Sequence, residues 1–362
     1  MKKIIFVDYT SSYTHINVKN RSIGASEYQL YNLIETLSKY IHIYCFNYLN
    51  YIEIDNVTYD NFTKLINFEI DENDVFVFQR FLPYDKSLLN KISKNKKILW
   101  IHDIAGFSIF MRNDHLEINK HSHETLKNNI LLPIQNDDTF QFICNSDNCK
   151  NLFVNFLSRF DIKINDERIF MIYNILYDFE LIVDKNIKPD KNNIVYASAW
   201  SKGIERIINI FDYIYKKNNA VILTLMNPGY DYQYYAEYIK ILKNKYGDKI
   251  NILGPINKIE YSKVIQSSCC VFSASFNETF GCVFSESYHF GTPVIADKTS
   301  GAVCEIIGTN NIVNYNNLEE VYNKFIEIQK NRDNLNIQLD EIFYLKYNID
   351  KWCKLLEINN IE

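Results

Sequence analysis

Short apolar runs rich in β-branched and aromatic residues punctuate the chain, separated by polar loops or by stretches whose apolar positions recur at helical spacing. One series runs through Lys3 to Val7, Ile41 to Phe46, Val75 to Gln79, Ile98 to Ile101 and Phe140 to Cys144. A second runs through Ile194 to Ala197, Ala220 to Leu225, Ile250 to Leu253, Cys269 to Ala274 and Pro293 to Ala296, with helical segments such as Ile204 to Tyr215 between them. Strand runs alternating with helices predict parallel sheets covered by helices. Two such series predict two doubly wound α/β domains. The stretch from Asp178 to Asn193 is polar, carries Pro189 and interrupts the strand rhythm, so the boundary is expected there, with domains over 1–185 and 186–344. Beyond the second domain, Tyr347 to Ile358 reads as an amphipathic helix.

A length of 362 residues is enough for two separate cores. Hydrophobic residues at 47% and charged residues at 23% describe a soluble globular protein. The net charge of -5 gives no electrostatic footprint for nucleic acid. Asp8 ends the apolar run of Met-Lys-Lys-Ile-Ile-Phe-Val too early for a signal peptide, and no long hydrophobic span follows, so the expectation is a soluble, cytoplasmic chain whose first strand is this run. The eight cysteines form no C-x2-C pair and read as reduced core residues. His121 and His123 lack a second pair of ligands and read as part of a polar loop rather than a metal site. Lysines at 86, 91, 94, 96 and 97 read as a solvated helix face, with peripheral contact to an anionic membrane surface as the other reading.

The chemistry concentrates between Val271 and Glu305, VFSASFNETFGCVFSESYHFGTPVIADKTSGAVCE. This segment reads as strand, loop, helix, turn and strand, with the helix starting near Thr279 and ending at Gly291. Glu278 and Glu286 then lie at or just after a strand's carboxyl end, with Glu286 about 10 Å along the helix at about 1.5 Å per residue. Ligands of open α/β sheets bind at that edge, where free N–H groups at a helix N-terminus attract an anion. One carboxylate can accept hydrogen bonds from sugar hydroxyls and the other from ribose hydroxyls, with phosphates between them. Two glutamates eight apart on a helix also describe an ordinary solvated face. What tips the reading is the ordered set around the pair: Glu-Thr-Phe-Gly before the helix, Gly-Thr-Pro-Val at the next strand, then Ser-Gly and Glu305.

That set, with its E-x7-E spacing, resembles the retaining glycosyltransferases of family 4 (glycosyl transferases group 1). The resemblance implies a GT-B fold, two Rossmann-like domains facing each other across an interdomain cleft, with the C-terminal helix (345–362) returning to an N-terminal, acceptor-side domain. It implies that Glu278 binds the donor sugar, that Glu286 binds the ribose, and that backbone amides near Thr279, Phe280 and Gly281 hold the phosphates.

Other residues match more loosely. Lys202, before Gly203 at a strand end, either neutralises charge on the departing nucleoside diphosphate or is an ordinary surface lysine. Where the family has an arginine a few residues earlier, this chain has Tyr196 to Ala199. Gly24, within Arg21 to Glu27 and ahead of an amphipathic helix, resembles the family's first glycine-rich loop, though many α/β proteins start a helix this way. His102 closes the strand ending Trp-Ile-His-Asp103. It is either the family histidine that orients the transferred sugar or a structural hydrogen-bonding residue, with Asp103 capping or orienting it. Ser146 after Cys144-Asn and the pair Tyr173-Asn174 are softer matches.

The sequence thus predicts transfer of a sugar from a UDP- or GDP-sugar to a glycan or glycoconjugate acceptor, with retention and no required cofactor or metal. Two alternatives stay open: a sugar-nucleotide epimerase of the same fold, and a noncatalytic nucleotide-sugar-binding protein.

Overall fold

The computed structural model describes residues 2–20, 23–82, 86–103, 124–177, 182–227, 229 and 232–358. His121 and His123 lie outside them. The chain divides into two compact units, one formed by Met1–Ile16, Ser26–Tyr173 and Asn348–Glu362, the other by Asn17–Ala25 and Asn174–Tyr347.

Among its described residues, the first unit holds an eight-stranded sheet ordered β3-β4-β2-β1-β5-β6-β7-β8. Its strands are β1 (Ile4–Val7), β2 (Ile43–Asn47), β3 (Ile52–Ile54), β4 (Val57–Asn61), β5 (Val75–Gln79), β6 (Lys96–Ile101), β7 (Phe140–Cys144) and β8 (Ile169–Met171). All neighbours pair in parallel except β3, which runs antiparallel to β4 at the edge. The central strands are buried along their length, as parallel strands covered on both faces must be; β1 and β5 are closed to solvent at every position. The helix Leu345–Leu356 belongs to this unit for most of its length. Its Trp352 packs edge-on to Trp100 of β6 with ring centroids 4.6 Å apart, and beyond it Glu357 bonds Lys2 and Lys96.

The second unit carries an all-parallel sheet of six strands among its described residues, ordered β11-β10-β9-β12-β13-β14. These are β9 (Asp190–Ala197), β10 (Ile222–Met226), β11 (Ile250–Leu253), β12 (Ser268–Ser273), β13 (Val294–Asp297) and β14 (Ile312–Val313). Helices Ile204–Lys217 and Leu318–Asn331 turn Ile207, Ile210, Phe211 and Ile214, and Val321, Phe325 and Ile328, onto one shared core, the one-sided burial their periodicity predicts. The strand order reverses between β9 and β12, whose registers align Cys270 with Ile194 and Val271 with Val195. In such sheets the connections leaving the reversal diverge to opposite faces and open a crevice at the carboxyl edge.

No helix among the described residues is long and apolar enough to cross a membrane. Three of the described lysine side chains between 86 and 97 have internal partners. Lys91 donates to the carbonyls of Ile66 and Phe68, Lys96 to Glu357, and the fully buried Lys97 to the carbonyls of Ile92, Ser93 and Asn95.

Candidate active site

Both connections leaving the β9/β12 reversal carry predicted residues. After β9 the chain makes a short turn, Trp200–Lys202, and Gly203 leads into the helix Ile204–Lys217 with φ 114°. A β-carbon on Gly203 would stand 2.9 Å from the carbonyl oxygen of Ala274, just past the end of β12, so only glycine lets the two loops close on each other. This approach brings Lys202 to Glu278: its Nζ lies 2.9 and 3.1 Å from the two carboxylate oxygens. The lysine side chain is 43% exposed and the glutamate 17%, so the pair is open to solvent at the lysine end.

The loop from β12 is shaped by two left-handed residues, Asn277 (φ 49°) and Gly281 (φ 84°). The Asn277 N–H bonds the Thr299 carbonyl, and the Ala302 N–H bonds the Glu278 carbonyl, which ties the loop to the connection after β13. Gly281 is the N-cap of the helix Cys282–His289. The helix thus begins three residues later than the periodicity predicts, because its first turn would need ordinary helical backbone at Gly281. Thr279 and Phe280 stand in the loop before it. With the start at Cys282, Glu286 is one turn into the helix, about 6 Å along it rather than 10.

Glu286 is nearly closed to solvent, 6% exposed at its side chain, and accepts a hydrogen bond from Lys258 in the first turn of the helix Lys258–Gln266. Cys282 feels this cluster. Burial, and then the Glu286 charge, push its thiol up to about 12, while Lys258 opposes the shift. Asn174 donates to the Cys282 sulfur at 3.6 Å.

Among the described residues of the second unit, no arginine stands in for the one missing between Tyr196 and Ala199. Arg206, the next along the chain, is engaged elsewhere: it bonds Asp297 at 2.9 Å and lies over the Tyr315 ring. Burial would raise the Asp297 carboxyl, but hydrogen bonds from Thr299 and the Tyr315 N–H, with the Arg206 charge, hold it below the usual carboxylate range.

In the first unit the predicted residues also stand at carboxyl edges. His102 follows β6, is 7% exposed and lies against Trp100 at 4.4 Å between ring centroids. Burial, and secondly the Arg80 charge, hold its imidazole well below 6.5, so it is neutral at physiological pH. Asp103 bonds Arg80 at 2.5 Å, and Arg80 also reaches Ser26 and Glu27 at the start of the helix Ala25–Ser38. Gly24, which directly precedes that helix in the chain and is half-buried, falls in the second unit's short segment Asn17–Ala25 rather than in the first unit. Ser146 caps the helix Asp147–Ser158, accepting from the Cys149 N–H at 2.8 Å.

Sequence reasoning did not single out Arg80 or Lys258. Arg80 follows directly on β5 with φ 63°, and a non-glycine residue held there marks a constrained position. Its only sequence signal is its place at a strand end. Lys258 has none, being one lysine in a lysine-rich chain.

The family model "Glycosyl transferases group 1" matches residues 178–342, the span that holds β9 to β14 and both lysine–glutamate pairs. Over that span the chain is similar to a group 1 glycosyltransferase domain. Solved structures show the GT-B fold over the length of this glycosyltransferase. Sucrose-phosphate synthase from Thermosynechococcus elongatus aligns with TM-score 0.66 at 16% identity, covering 92% of this chain and 90% of that one. WaaG, a glycosyltransferase involved in lipopolysaccharide biosynthesis, aligns with TM-score 0.66 at 10% identity, covering 98% of this chain and 100% of its own. Anabaena HepE, solved in complex with UDP-glucose, aligns with TM-score 0.60 at 14% identity, covering 99% and 97%. A search of curated proteins finds no match for the glycosyltransferase.

Proposed function

We propose that this glycosyltransferase moves a sugar from a nucleoside diphosphate sugar to a glycan or glycoconjugate acceptor with retention of anomeric configuration and no required metal. The observation that carries the reading is the pairing of Lys202 with Glu278 across the β9/β12 reversal, one loop ahead of the Gly281-capped helix. The phosphates of the donor lie against backbone amides between Thr279 and Gly281, at the positive end of that helix. Glu278 accepts hydrogen bonds from the donor sugar and Glu286 from the ribose. UDP- and GDP-sugars are the donor classes, and HepE was solved with UDP-glucose.

Lys202 stabilises the leaving diphosphate. Its contribution to rate comes from the charge that builds as the glycosidic bond breaks, because only an interaction stronger in the transition state accelerates the step. The acceptor attacks from the face the diphosphate leaves. The departing phosphate takes the acceptor's proton, so no enzymic nucleophile is needed. The first unit takes the acceptor side. His102, neutral and oriented against Trp100, contacts the transferred sugar as an uncharged hydrogen-bonding group.

One observation favours a second reading, that of a noncatalytic nucleotide-sugar-binding protein: the family arginine is missing and Arg206 does not replace it. Release of nucleoside diphosphate from a panel of UDP-, GDP- and ADP-sugars separates the two, with Glu278→Gln as control. Release from one donor that the substitution abolishes is the expected result. Tight binding without release, whatever acceptor is offered, would establish the second reading.

A further inference from the structure

The two lysine–glutamate pairs of the second unit are built alike but exposed differently, and the less exposed pair involves a lysine that no motif includes. Lys258 occupies the first turn of its helix, the end where the macrodipole disfavours a cation. Asn257 fixes that turn by capping the Glu260 N–H at 2.9 Å, and the Lys258 ammonium lies 4.7 Å from the centre of the Tyr261 ring. A residue placed against its local electrostatics and held by Glu286 and Tyr261 is specified by something other than helix formation.

What it faces is Glu286, whose carboxylate is closed to solvent. The Cys282 thiol, on the first residue after the Gly281 cap, feels Glu286, Lys258 and Glu278 together, so these charges lie within electrostatic reach of the helix N-terminus. Without Lys258, Lys202 would face two carboxylates beside the position of an incoming polyanion. With it, the two pairs cancel, and the free N–H groups of the helix act on the ligand without a net negative background.

We infer that Lys258 is the second cation of the donor site, offsetting the charge of the Glu286 carboxylate so that a nucleoside diphosphate can bind where the family arginine is absent. The inference rests on the donor reading above. Lys258 acts through Glu286, and its effect depends on the charge of the ligand.

Calorimetric titration with UDP, GDP and ADP, and with the corresponding uncharged nucleosides, tests this on the parent, Lys258→Met and Lys258→Arg. For the diphosphate that binds the parent, Lys258→Met should weaken affinity by about tenfold or more, the size expected for a charge-assisted contact. The uncharged nucleoside should lose less than about threefold, a difference below about 0.7 kcal/mol. Lys258→Arg should restore most of the diphosphate affinity. Unchanged diphosphate affinity in Lys258→Met, or equal losses for diphosphate and nucleoside, would overturn the inference while leaving the donor site in place. If the parent binds none of the diphosphates, the donor reading itself falls and this inference with it.

Discussion

At the scale of single residues, the proposed function assigns Lys202 a charge that acts on the transition state and Glu286 one that acts on binding. Lys202 is solvent-accessible and pairs with Glu278, so its substitution should be felt when the leaving group gains charge. Lys202→Ala is expected to lower kcat by about 10²- to 10³-fold, as loss of one preorganised electrostatic donor does. Glu286→Ala should instead raise the donor KM by about tenfold or more with a smaller change in kcat, since its proposed hydrogen bonds go to a part of the donor that does not react. Steady-state kinetics on the active donor distinguishes the two, and unchanged constants in both variants would remove the site assignment. His102 adds a pH signature. Its imidazole is held below 6.5 in the folded protein, so below that pH the unfolded chain binds more protons there. The stability this residue contributes is complete above about pH 6.5 and is lost as the pH falls. Thermal denaturation followed from about pH 8 to 5 should show a flatter decline in His102→Gln than in the parent. Equal slopes would mean that this imidazole is protonated in the folded protein like any exposed one.

At the scale of elements, most strands were legible because they are buried on both faces. Val75–Gln79 and Phe140–Cys144 begin and end where the apolar runs do. The hairpin partners β3 and β4, and the short strands β8 and β14, were not. β3 and β14 have only three and two residues, β8 three, and they sit at or beside sheet edges, where pairing rather than apolar patterning defines a strand. The start of the helix Cys282–His289 was misplaced for a different reason, since a left-handed Gly281 leaves no mark in periodicity. The pairing of Lys258 with Glu286 was invisible because its partners are 28 residues apart and lysine is abundant. Gly203 tests how closely the loops must approach. Gly203→Ala would place a methyl group 2.9 Å from the Ala274 carbonyl oxygen at a φ of 114°. A loss of about 1–3 kcal/mol in unfolding free energy is expected, with weaker donor binding as Lys202 shifts. A variant as stable as the parent would show that this contact relaxes at no cost.

At the scale of the whole molecule, both units are discontinuous in sequence: the first closes only with Asn348–Glu362, whereas the second consists of Asn17–Ala25 and the long run Asn174–Tyr347. Trp352 returns to the first unit fully buried, against Trp100. Trp352→Ala should lower unfolding free energy by about 3–5 kcal/mol in urea titration, the range for removing a buried aromatic side chain. A loss below about 1 kcal/mol would mean that the indole is dispensable to the core. This chain order also bears on biosynthesis. Trp100 leaves the ribosome about 250 residues ahead of Trp352, on the order of 10–50 s at ordinary translation rates, and through that interval the β6 surface that the last helix will cover stays open. The second unit has its complete sequence before the first does, so a nascent chain must carry an uncapped apolar face while its later half is already free to fold.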